Sequence, residues 1–184
     1  MADNPSLRQA PTLYSAEVAN MASEFKEDPF REKDQVSSVI TPQQSWQFYE
    51  THGFFYQRNE IVGALVHALF AAGAASKAYL PLFQPQLSQD ERIMSILTNY
   101  PYERPDFHFG WGGLDFFYSL DVSNSTYNGI AIYAAEPGTS FCCCDQSQKH
   151  SGDGEWTNYG PRRFDAEYAA LYRKVSVDLE SGGL

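Results

Sequence analysis

An α+β fold follows from three features of this sequence. Apolar residues recur at helical spacing through the first half, alternation sets in at Leu114, and helical spacing returns from Phe164. Segregated elements of this kind give helices packed beside a small antiparallel sheet, not an alternating doubly wound sheet. The expected domain is predominantly helical, with a central apolar helix over about 60–79, a hairpin or sheet over about 114–145 and a C-terminal helix. A mainly α fold with the hairpin as an excursion is the alternative.

The helices come first. Residues 1–12, with Pro5 and Pro11, read as a loose arm, and Ser15 caps a helix expected over Ala16–Glu27. FREKDQVSS, residues 30–38, is charged and then polar, and reads as an exposed linker. Thr41-Pro42 places an N-cap hydroxyl before proline, so a helix starts there and ends at Gly53. Ile61 to Ala75 carries no charge and is apolar on every side, with Asn59 as its cap. A helix of that kind belongs in the middle of a core, since crossing a membrane takes about 20 residues. This predicts Ile61–Ala75 as one of the most buried segments, with Leu65 or Leu69→Ala costing about 2–5 kcal/mol. Ser88 to Glu91 forms an S-x-x-E capping box for a further helix with Ile93 and Ile96 inward.

The sheet follows. In LDFFYSLDV, Leu114, Phe116, Tyr118, Leu120 and Val122 alternate with more polar neighbours, and YNGIAIYAA is its expected hairpin partner. TSFCCCD is a possible third strand, Gln146 to Arg163 a long loop, and FDAEYAALYRKV the last helix. The expected organisation is one globular domain over 13–175, with 176–184 a frayed tail.

Charge limits the partners. Lys and Arg number 13 against 23 Asp and Glu, a net charge of −10. Phosphate recognition draws on clustered Lys and Arg, so neither nucleic acid nor a membrane surface is expected as partner. MADNPSLRQAPTLYS lacks the apolar core of a secretion signal, and three consecutive cysteines suit a reducing compartment, so the expected location is cytoplasmic.

Two stretches carry candidate chemistry. In PDFHFGWGGLD, residues 105–115, Asp106, His108 and Asp115 sit close enough in sequence for an acid–base site, with Tyr118 nearby. The same stretch also reads as a tight turn anchored by aromatics. Cys142, Cys143 and Cys144 do not match zinc-ligand spacing, and no fourth cysteine exists. Three reduced thiols are expected, at least one packed on an apolar sheet face, with no metal and no cofactor. His67 is expected to be a buried imidazole, and His52 needs no role beyond its place at a helix C-terminus.

No nucleophile elbow, P-loop or H-E-x-x-H motif is present in the sequence. Aromatics make up 15% of the chain, and these are the residue types enriched where proteins meet. The expected function is therefore a non-enzymatic protein that binds itself or another protein, such as a subunit of a capsid-type shell. The alternative is a small intracellular enzyme working at Asp106, His108 and Asp115.

Overall fold

The structure is a computed structural model that describes residues 27–74, 76–100, 106–110, 117–119, 130–149, 154–156 and 162–184. The N-terminal arm and the helix expected from Ala16 lie outside them. Within β1 (Asp106–Gly110) and β2 (Phe117–Ser119) only the backbone is described.

The fold is α+β. Helices α1 (Pro42–His52), α2 (Glu60–Ala71), α3 (Gln84–Gln89) and α4 (Glu91–Asn99) come first. The remaining strands are β3 (Ala131–Ala135), β4 (Thr139–Cys144), β5 (Glu155–Trp156), β6 (Arg162–Phe164) and β7 (Lys174–Leu179), with one helical turn, α5 (Ala166–Ala169), before β7.

Local signals set most helix ends. The Thr41 amide donates to Gln44 Oε1 at 3.1 Å, and Gly53 closes α1 in the left-handed region at φ 82°. The Asn59 side chain accepts from the amides of Ile61 and Val62 at 3.1 and 3.0 Å. The box expected at Ser88 is displaced. Asp90 caps α4, accepting from Arg92 and Ile93, while the Ser88 hydroxyl bonds back to the Gln84 carbonyl inside α3. An aspartate at the boundary offers a charged acceptor, which caps a helix well.

Pairing departs from the expected hairpin. β3 runs parallel to β1, with His108 beside Tyr133, and β2 pairs with the distant β6 in the order β2-β6-β5. The antiparallel pair that meets the core is β4–β7. Proximity in sequence suggests the hairpin, but ladder partners are settled by which apolar faces are buried together.

The core has two parts. Phe30, Val36, Ile40, Phe48, Tyr56, Ala135, Val175, Val177 and Leu179 form one, and Val62, Val66, Phe83 and Ala134 the other. The segment expected as an exposed linker thus supplies Phe30 and Val36. It is tied down by the Arg92 guanidinium, which donates to the carbonyls of Val36 and Ser37 and to Gln57, and lies over the Phe55 ring. Tyr56 adds a bond from its hydroxyl to the Glu32 carbonyl at 2.9 Å.

Two further expectations change. The tail does not fray. Val175, Val177 and Leu179 are buried, and Lys174 and Ser176 exposed, in β7. Beyond it, Gly183 exchanges two backbone bonds with Ala135, and Leu184 exchanges two with Gln57. The last helix shrinks to one turn because Lys174 onward extends along β4. Helix α2 forms as expected but stops at Ala71, with Gly73 left-handed at φ 63°. It is not enclosed: Val62, Gly63 and Val66 are buried, whereas Ile61 is 55% exposed and Ala64, His67, Ala68 and Ala71 are also exposed.

Gly63 explains how α2 docks. A side chain there would overlap the Ser181 carbonyl and press on the Gly182 Cα, so helix and tail meet backbone to backbone.

Candidate functional site

The expected acid–base residues are only partly placed. Asp106 and His108 lie two residues apart on β1, in register with Ala131 and Tyr133. Asp115 lies outside the described residues. Tyr118 belongs to β2, in a different ladder from His108.

Among the described residues, a buried polar pair lies elsewhere. His52 Nδ1 is 2.7 Å from Asp145 Oδ1, with the two side chains only 12% and 6% exposed. The imidazole packs on the edge of Phe30 at 5.0 Å and against Phe48 at 4.4 Å between centroids. Around it the backbone also closes: the Gln146 amide donates to the His52 carbonyl at 3.0 Å, and the Gln148 side chain donates to the carbonyls of Glu50 and Thr51. Asp145, at the end of the expected third strand, and residues 146–148, expected as loop, therefore cap the C-terminal end of α1. A carboxylate at Nδ1 fixes the orientation of an imidazole, so the pair clamps α1 to the end of β4. No local pattern signals it, since the partners are 93 residues apart.

His67 is not buried. Its side chain is 71% exposed on α2, 3.6 Å from the Glu136 carboxylate. The outward face of α2 accommodates an imidazole in water, so the ring needs no interior partner.

All three cysteines are free thiols. Strand alternation separates them: Cys143 packs on the first core cluster, while Cys142 is exposed on the opposite face. Burial, helped by the neighbouring Cys142, pushes the Cys143 thiol far above its ordinary value. Cys144 is raised more modestly, by burial and Cys142, with Lys174 opposing. Cys143 is thus a neutral packing group, and Cys142 is the thiol open to solvent. Among the described residues no group of three His, Cys, Asp or Glu side chains is placed to hold a metal.

The other feature of the surface is apolar. The chain from Ile61 to Ser76 carries no acidic residue, lysine or arginine. Large side chains stand exposed around it: Ile61 on α2, Tyr79 and Leu82 on the 3-10 turn Lys77–Phe83, and Tyr133 on the neighbouring β3. The opposite side of the same layer is anchored by Val62, Val66 and Phe83. No described helix is long and apolar enough to cross a membrane. Comparison with protein-family models, curated proteins and solved structures finds no match.

Proposed function

We propose that this chain is a non-enzymatic protein that associates with itself through the outward face of α2 and the 3-10 turn after it. One observation carries the reading: a charge-free helical segment in a chain of net charge −10 leaves Ile61, with Tyr79 and Leu82 beyond it, exposed to water. Exposed apolar surface of this kind marks interaction sites. A subunit of a larger assembly, such as a capsid-type shell, is the specific form proposed. Light scattering over a dilution series tests it. The parent is expected to lose mass on dilution, and Ile61→Ser with Leu82→Ser to lose the contact made through α2, which lowers the mass found at each concentration. A parent that is monomeric at every concentration would refute self-association.

A further inference from the structure

Among the described residues, β4 pairs with β7 along one edge and with no strand along the other. In the β4–β7 ladder, the Asp145 amide donates to the Arg173 carbonyl at 2.9 Å, which fixes the parity of the pairing. Odd-numbered residues of β4 therefore bond to β7, and the amides and carbonyls of Ser140, Cys142 and Cys144 point the other way. The same parity turns the Asp178 amide outward on β7, and there it is taken up by the Lys33 carbonyl at 2.8 Å. On β4 no equivalent exists: among the described residues, nothing accepts from the amides of Ser140, Cys142 or Cys144.

Proteins normally blunt such edges with charge, proline or a bulge. Within Thr139–Cys144 none of these is present. Phe141 shares by strand alternation the face of Cys143, which packs on the core, yet is 39% exposed. An added strand would continue the sheet and cover it.

We infer that the β4 edge pairs antiparallel with the same edge of a second copy, making a continuous sheet in the order β7-β4-β4-β7 across a two-fold axis. Charge favours this edge over the rest of the surface as a contact with a second copy. A net charge of −10 sets most of the surface against a second copy, whereas Pro137 to Cys144 carries no charge and is neutral toward itself. Self-pairing also places donors against acceptors: Cys142 faces Cys142 of the second copy in a reciprocally bonded pair, and Ser140 faces its Cys144. The Phe141 ring then lies across from the second copy's Cys143. The inference rests on the self-association proposed above and gives it a second contact, separate from α2.

The parity makes a sharp test. Cys142→Pro deletes an amide that β7 does not use, so edge pairing is lost while the ladder remains. Cys142→Lys blocks the edge by charge without touching the backbone. In light scattering over a dilution series with the full chain, both variants are expected to weaken β4-mediated dimerisation by about tenfold or more, with circular dichroism unchanged. If the proline variant does not fold, the lysine variant decides the outcome. Diamide, which takes up the two thiol hydrogens and two electrons, is expected to trap a Cys142–Cys142 disulfide between copies. A reciprocally bonded pair has Cα atoms about 5.5 Å apart, within disulfide range. The trapped dimer is expected to persist in Cys144→Ser and vanish in Cys142→Ser. A parent that associates while Cys142→Lys associates equally well overturns the edge contact and leaves self-association through α2 standing. A parent monomeric at every concentration overturns both.

Discussion

Helix α2 and strand β7 exchange the roles their compositions suggest. The helix is the most apolar segment of the chain, yet only Val62, Gly63 and Val66 on it are buried. The strand carries Lys174 and Asp178 at the end of the chain, yet Val177 and Leu179 are 0% and 1% exposed. Apolar content alone misplaces both. What puts a segment inside is a face that meets another face, and Val175, Val177 and Leu179 offer one at the two-residue period of a strand. Apolar residues all round a helix can be buried only if partners surround it, and α2 has β3 and the tail on one side.

The largest effect should come from removing the tail. Ending the chain after Arg173 deletes three buried side chains, each worth about 1.5–3 kcal/mol, together with the paired bonds at Ala135 and Gln57. That approaches the whole stability of a domain, about 5–15 kcal/mol. The truncated chain is expected to show no cooperative urea transition. A sharp transition near the parent midpoint would return the tail to the role of an appendage.

Next in size is the seam between the two regions. Gly63→Ala gains helix propensity of up to about 1 kcal/mol. Its methyl group would nevertheless meet the Ser181 carbonyl and the Gly182 Cα, which are backbone and cannot rotate aside. A net loss of about 1–3 kcal/mol is expected in chemical denaturation. Stabilisation by this substitution would mean that α2 and the tail are not in close contact.

A smaller effect depends on pH. Burial raises Cys143 and, with their neighbours, Tyr56 and Tyr172 above their ordinary values, and Tyr49 is pushed up to about 12. These groups stay protonated in the fold after the unfolded chain has begun to ionise. Their contribution is therefore complete below the unfolded values and shrinks as pH rises, starting near about 8.5 for cysteine and about 10 for tyrosine. Unfolding midpoints should fall above about pH 8.5, and Cys143→Ala should remove the earliest part of the fall. A flat profile between about pH 8 and 10 in the parent would contradict a neutral Cys143 packed against the core.

The smallest effect on stability, though easily seen, is in thiol reactivity. Cys142 should alkylate within the native protein, and Cys143 only on unfolding. Mass mapping that finds Cys143 labelled first would reverse the assigned faces of β4.

Local signals are legible in the sequence because they act within a few residues. Thr41-Pro42, Gly53 and Asn59 mark helix ends where they are expected. Alternation reveals β-structure after residue 114 but not its partners, since a strand carries no label for the edge it joins. KVSVDL alternates as well, but Lys174 and Val175 read as the end of the last helix and the rest as a fraying tail, and only the β4 partner shows that the two-residue period decides. The His52–Asp145 clamp is invisible for a different reason: each residue alone has an ordinary explanation, and only the fold brings them within 2.7 Å. The acid–base candidates stay divided, with Asp106 and His108 on β1 and Asp115 outside the described residues.

The reversal of roles between helix and tail is tested most directly by two truncations of similar size, measured side by side. Ile61→Ala and Leu179→Ala each shorten a large aliphatic side chain, one 55% and the other 1% exposed. Urea unfolding is followed at a concentration dilute enough for the protein to be monomeric. Leu179→Ala is expected to cost about 2–5 kcal/mol, and Ile61→Ala to stay within about 0.5 kcal/mol of the parent. Equal losses, or a larger loss at Ile61, would contradict the account and return α2 to the centre of the core.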